Sequence, residues 1–524
     1  MNRHIQKILK GKKVVLKVKD KSLEEKIKDI VDERGEGERI YITDVQSEND
    51  IYVYRFSIGN LIRFIKNLER SYIYKGLVFE LPERLVNTNI EKSYMILFFI
   101  ILYTILIAKI GSLVPTDDLL RHLVSYRFNY DYSNIFVHTG LPKWNMHFPY
   151  EWLVGHIHQV FSIFSNETVH TLVSVAFIDI VIITLLSIGI RLTIKEKSPI
   201  VYILTLSLII SQISGRLLLG RPTTLVISLF ILSIGLYLSG RKSLSLLVST
   251  IMSVMYYLYF IYMIPLAIYL RKSVIVPFSI GFLFWFTYAY LKGGNYVVDI
   301  YRYIISLDLD KIPITENASI LSVISAPIFI FMLILIILYW KRVRKEHFYS
   351  SLFFYLSNQI RYIEVIVPLT VISIVDLIEE FYKKILKQKR LYAFLLSVSM
   401  ILGGFNLESK NPIFDKDICK LIEGKSVFTL PGDNFRLIYN CSGYNIKLSP
   451  AMEPRWSDRI YMDVYSDITQ DYRLSCENEN LYKYEYIYES VLKGRYSCLK
   501  LEYVDGEYRL WKVIFPLKIN KDKQ

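Results

Sequence analysis

Cysteine is scarce in this chain and confined to one end, with four in 524 residues and none before Cys419. No CxxC pair occurs, and the segment that holds the cysteines has no histidine, which argues against structural zinc there. The first 90 residues lack a central apolar run, so no cleavable signal peptide is expected, and the first apolar run is the expected insertion signal. They also lack a phosphate-binding loop, since the glycines of RGEGER read as a turn. Apolar length is abundant elsewhere. Hydrophobic residues make up 52% of the chain, its mean hydropathy is +0.30, and apolar runs recur, which excludes one soluble domain and predicts a polytopic membrane protein. The formal net charge of +14 does not indicate nucleic acid, because much of the excess Lys and Arg lies in the N-terminal segment and in short loops between apolar runs.

Apolar runs fall at 93–114, 168–190, 199–214, 222–239, 244–270, 273–291, 320–340, 348–357, 363–378 and 391–406. With 244–270 divided into two short helices that turn near Tyr256 to Tyr259, they predict about eleven transmembrane helices. Basic loops at 191–197, 240–242, 271–273, 341–345 and 383–390 share one side with the basic N-terminus, and the positive-inside rule makes that side cytoplasmic. The other side receives loop 115–167, a short loop around 215–221, loop 292–319 and everything after 406. Several runs are shorter than the roughly 20 residues of a simple crossing. Short helices are tolerated where they line a water-filled cavity, so a cavity open to the outside is expected.

Two soluble segments flank this region. Within 1–90, KKVVLKVK, RIYITDV and DIYVYRFS read as strands and SLEEKIKDIVDER as a helix, giving a small cytoplasmic α/β domain. Within 407–524, SVFTLPG, RLIYNC, RIYMDVYS, LYKYEYIYES and CLKLEYVDGEYRLWKVIF read as strands of a β-rich extracytoplasmic domain. Cys419 and Cys441, and likewise Cys476 and Cys498, are 22 positions apart. Two disulfides in an oxidising exterior fit this placement, and four buried free thiols are the alternative.

Chemistry concentrates in the outer loops. PTDDLLRH at 115–122 sets the adjacent carboxylates Asp117 and Asp118 just past the first apolar run, with Arg121 and His122 one turn later. Helix capping by Asp117 is the plain reading of that pair. An LPxW turn with Trp144 and an amphipathic stretch at 150–164 follow. Trp144 and Trp152 read as interfacial anchors. The second outer loop, SGRLLLGRP, offers Arg216 and Arg221, suited to a phosphate group. Asp117, Asp118, Glu151, His156 and His158 are candidates for a divalent ion, Mg or Mn, with Asp118, His156 and His158 foremost, although HIH on a helix turns its imidazoles about 200° apart. Asp179, Glu364 and Asp376 read as packing or pairing groups.

The order of the first outer loop resembles that of the GT-C superfamily of membrane glycosyltransferases, which includes oligosaccharyltransferases, protein O-mannosyltransferases and aminoarabinose transferases. RYIEVIVPLTVIS at 361–373 is similar to a late helix of those enzymes, and PITENAS sets Glu316 where oligosaccharyltransferases carry a glutamate motif. The resemblance implies a GT-C-like fold with Asp117 or Asp118 in the active site. Arg121, His122, Arg216, Arg221, Glu316, Arg361 and Tyr362 are then the expected substrate-binding residues. It further implies a polyprenyl-phosphate sugar donor taken from the lipid bilayer and a glycan, lipid or protein acceptor. The Trp-Trp-Asp motif of oligosaccharyltransferases is absent, so asparagine glycosylation is not implied. A transporter or flippase for a polyprenyl-linked or anionic substrate is the competing class, though the acidic pair lies in a loop rather than at mid-membrane.

Overall fold

The computed structural model describes residues 14–16, 40–42, 51–55, 71–74, 77–80, 89–110, 118–131, 135–137, 144–218, 220–305, 334–356, 363–386, 389–405, 417–430, 433–449, 459–471, 474–492, 496–505 and 508–514. The chain forms two compact units, one of residues 1–100, 198–204 and 379–398, the other of 101–197, 205–378 and 399–524.

The first unit contains a five-stranded sheet in the order β2-β1-β3-β5-β4. Strand β1 (Val14–Leu16) runs parallel to β2 (Ile40–Ile42) and β3 (Ile51–Arg55), and β3 is antiparallel to β5 (Leu77–Glu80), which pairs in turn with β4 (Ser71–Tyr74). All three strands expected from the sequence are present. The expected helix SLEEKIKDIVDER lies outside the described residues.

Helices follow in the order the apolar runs predict: α1 (Asn89–Ile110), α2 (Asp118–Val124), α3 (Phe148–Val160), α4 (Glu167–Thr193), α5 (Pro199–Leu217), α6 (Pro222–Leu238) and α7 (Lys242–Met255). Next come α8 (Phe260–Leu270), α9 (Ile275–Leu291), α10 (Tyr296–Ile305), α11 (Lys345–Leu356), α12 (Ile363–Ser373), α13 (Val375–Lys384) and α14 (Arg390–Gly404). Among the described residues four stretches are long and apolar enough to cross a membrane: Glu91–Ala108, Glu167–Thr193, Pro199–Leu217 and Phe260–Leu291. That is consistent with a membrane protein. Most of the run at 320–340 lies outside the described residues.

The break expected near Tyr256 to Tyr259 is present. Tyr256 is extended, at φ −144° and ψ 125°, and α8 starts at Phe260. A break in an apolar helix frees backbone carbonyls, and side chains meet them here: Trp285 Nε1 donates to Ser253 O at 3.0 Å and the Tyr296 hydroxyl to Tyr257 O at 2.7 Å. Helices α4 and α6 cross closely through glycine, since a Cβ on Gly235 would stand 2.4 Å from Gly189 O. Asp376 pairs with Arg344 at 3.2 Å and with Lys197, which bears out its reading as a pairing group. The run at 363–378 is two helices rather than one, with α12 ending at Ser373 and α13 starting at Val375.

The C-terminal domain corrects the β-rich expectation. RLIYN of RLIYNC belongs to helix α16 (Asp433–Asn440) and RIYMDVYS to α17 (Arg459–Asp471), preceded by the short α15 (Asp417–Ile422). In α17 the buried residues are Tyr461, Val464, Tyr465 and Ile468, a helical i, i+3, i+4, i+7 stripe that the tyrosines and β-branched residues disguise as strand. The sheet order is β7-β6-β8-β10-β9. Strand β6 (Ser426–Thr429) is parallel to β7 (Lys447–Leu448) and β8 (Tyr486–Glu489), and β10 (Tyr508–Val513) is antiparallel to β8 and to β9 (Leu499–Asp505). Both sheets therefore share one topology. Disulfides join Cys419 to Cys441 and Cys476 to Cys498, which removes the free-thiol alternative.

Candidate functional site

Helix α2 starts at Asp118 and is enclosed on all sides, with Leu119, Leu120, Leu123 and Val124 buried, and Arg121 and His122 buried beside them. A cation and an imidazole withdrawn from water require partners. Helix α3 supplies one: Pro149 in its first turn favours helix initiation, and Glu151, Val154, Gly155 and His158 fall on its buried face. Glu151 Oε1 lies 2.7 Å from His122 Nδ1 and 3.7 Å from Arg121 Nη1, and Oε2 accepts from Asn145 Nδ2 at 2.6 Å. Arg121 Nη2 stands 3.3 Å from His122 Nε2. Arginine only donates, so these partners make Nε2 the acceptor and give Nδ1 the proton that Glu151 accepts. Burial alone would raise the Glu151 carboxyl. The hydrogen bond from His122 and the attraction of Arg121 and His147 outweigh it and hold that carboxyl below its ordinary range.

The loop between α5 and α6 is fastened to this lock. The rings of His147 and Tyr150 meet His122 edge-on, at 5.2 and 5.3 Å, and the Tyr150 hydroxyl donates to Gly220 O. Gly220 has a φ of +52°, and a Cβ there would fall 2.7 Å from Leu119 Cδ2, so only glycine lets the loop approach α2. Arg216, at the end of α5, places Nε 2.6 Å from Glu364 Oε1 in α12. Glu364 is thus a pairing group, as read from the sequence, and Arg216 is already engaged by a carboxylate. Arg221 is partly buried just before α6. Asp118 is described in its backbone, as the first residue of α2. Asp117, Glu316, Arg361 and Tyr362 lie outside the described residues.

His156 and His158 do not converge. His156 is exposed, with Nδ1 donating to Trp152 O at 2.7 Å. His158 is buried and stacked on His170 of α4 at 3.8 Å, with Nδ1 3.0 Å from Ser174 Oγ. Burial, His170 and Arg127 push His158 down to about 3, so it is neutral at physiological pH. Among the described residues no three His, Cys, Asp or Glu side chains gather as metal ligands. A pair of imidazoles on different sides of a helix does not fit a shared Mg or Mn ion, which favours oxygen ligands. Trp144 departs from the anchor expectation. It is buried among Tyr257, Trp285 and Tyr296 and donates to Asp299 Oδ2 at 2.8 Å, bracing the loop against the α7–α8 break.

The C-terminal domain adds a contact that sequence reasoning missed. Helix α16 packs on α2, and the Arg121 guanidinium lies 5.6 Å from the centre of the Phe435 ring. The Tyr439 hydroxyl bonds Thr171 of α4, Arg127 donates to Ser442 Oγ, and Leu448 pairs by its backbone with Ile135 and Val137 of the segment between α2 and α3. The available signal was the LPGDN turn after β6, which opens a helix with Asp and Asn. No protein-family model matches this chain, and no curated protein matches it.

Proposed function

We propose that the chain is an integral membrane glycosyltransferase of GT-C-like layout, moving a sugar from a polyprenyl-phosphate donor to a glycan, lipid or protein acceptor at the outer face. In this reading eleven helices cross the membrane, the N-terminal sheet is cytoplasmic and the C-terminal domain is outside. Its two disulfides support that side. The acceptor oxygen or nitrogen attacks the anomeric carbon while the bond from that carbon to the phosphate oxygen breaks, inverting the centre. Asp118 or Asp117 takes the acceptor proton as general base. The polyprenyl phosphate leaves with its charge met by Arg221 and Arg361, while Arg216, paired with Glu364, holds the second outer loop to α12.

The observation that carries this reading is the buried lock of Glu151, His122 and Arg121 immediately behind Asp118. Buried ion pairs add little net stability compared with apolar packing. Such a lock is better explained as support that fixes the geometry of a working residue. Transfer from a panel of polyprenyl-phosphate sugars in proteoliposomes tests it, with Asp117→Asn and Asp118→Asn compared against the intact protein. The expected result is transfer by the intact protein and a loss of at least about 100-fold in one variant, the scale of general acid–base catalysis. Transfer unchanged in both variants refutes the assignment.

One observation favours a second reading. Discontinuous helices flank substrate sites in transporters, and α7 and α8 form such a pair. Flux of a lipid-linked or anionic solute in the same vesicles, with no transfer, would establish a transporter or flippase instead.

A further inference from the structure

Helix α16 begins where the C-terminal sheet changes direction. From β6 the chain passes through α16 to β7 on one side, while β8 lies parallel on the other, so the carboxyl end of β6 is a topological switch point. Crevices for ligands open at such points in parallel sheets. Asp433 and Asn434 stand there, 7% and 0% exposed. Asp433 Oδ2 and both polar atoms of the Asn434 side chain have no hydrogen-bond partner. Their neighbour Glu489, at the end of β8, is fully engaged by Val491 N at 2.5 Å, by Leu492 N and by Trp511 Nε1 at 2.7 Å. Leaving buried donors and acceptors unmade is costly, and an apolar pair would pack there at no such cost.

The chemistry of the two groups selects the ligand. Asn434 offers two donors and an acceptor without charge. Burial and the nearby Glu489 carboxylate push Asp433 up to about 8, so at neutral pH it is an acid that both donates and accepts. Glu489 also repels anions. Groups that donate and accept at once match hydroxyls, which do the same. We infer that Asp433 and Asn434 form a subsite for a neutral, hydroxyl-rich group, a glycosyl unit, on the helix that the C-terminal domain seats against α2. Its role in sugar transfer rests on the proposed glycosyltransferase activity; sugar binding itself does not.

Saturation-transfer NMR on the full-length protein in nanodiscs tests the subsite, using the methyl glycosides of glucose, mannose, galactose and N-acetylglucosamine, with inorganic phosphate as the anionic control. At least one glycoside binds, phosphate does not compete with it, and Asn434→Leu weakens binding about tenfold or more. The same variant melts at a higher temperature than the intact protein without sugar, because the orphan amide is gone. Asp433→Asn, neutral at every pH, keeps binding, whereas binding to the intact protein weakens as the pH rises through about 8. Should Asn434→Leu not fold, Asn434→Ser carries the same expectation for binding. Absence of binding by all four glycosides, displacement by phosphate, or unchanged binding in the Asn434 variant overturns the subsite. Binding with no transfer from any polyprenyl donor leaves the subsite standing and sinks the transferase instead.

Discussion

Neutralising Glu151 while keeping its shape removes a counter-charge from the buried Arg121 and a strong acceptor from His122. Breaking a buried pair from one side costs about 3–5 kcal/mol, so Glu151→Gln should unfold at a clearly lower temperature in detergent or nanodiscs. The double variant Glu151→Gln with Arg121→Met removes both members of the pair and should recover part of the loss, a coupling that a double-mutant cycle reads directly. The sign with pH is fixed by the direction of the shift. The Glu151 carboxyl is held below its ordinary 4.5 in the fold. Its contribution is complete above about 4.5 and fades as the pH falls through the lower folded value. The difference between the intact protein and Glu151→Gln should therefore shrink in acid. A difference that grows below pH 4.5 would contradict the lock.

At the scale of elements, α16 is the piece of the C-terminal domain that reaches α2, and the Cys419–Cys441 bridge ties its end to α15. A closed loop of this length contributes about 3 kcal/mol by restricting the unfolded chain. Replacing both Cys419 and Cys441 by Ser should loosen α16 and lower the proposed sugar transfer; replacing Cys476 and Cys498 should cost similar stability but spare transfer. Equal loss of transfer in the two double variants would mean that α16 has no special part. Some of this was legible beforehand. The α7–α8 break was readable because the apolar run at 244–270 carries the tyrosines Tyr256, Tyr257 and Tyr259 at its centre. The cysteine placement was readable too. Glu151 as the partner of His122 was not, since the two are 29 positions apart and only tertiary packing joins them. The α16 and α17 helices were hidden for a local reason, as aromatic and β-branched residues favour strands until burial on one face overrides them.

For the whole molecule, the proposed arrangement across the bilayer rests on the charge of short loops, and the chain provides a clean way to check it. All four native cysteines are paired, so none competes for a thiol reagent. One introduced cysteine then reports one position. Ser165 lies exposed between α3 and α4, in the loop assigned to the outside, and Ser243 lies exposed at the start of α7, beside the basic GRK loop assigned to the cytoplasm. These two positions are separated by α4, α5 and α6, an odd number of crossings in the eleven-helix arrangement, and must therefore face opposite compartments. In intact cells a membrane-impermeant maleimide should label Ser165→Cys and leave Ser243→Cys untouched until the membrane is opened. The reverse pattern would turn the protein over, placing Asp117, Asp118 and both disulfides on the reducing side, where polyprenyl donors of the outer face and stable disulfides are both out of reach. Labelling of both positions in intact cells would mean that α4, α5 and α6 do not cross three times, and the eleven-helix arrangement would fall with it.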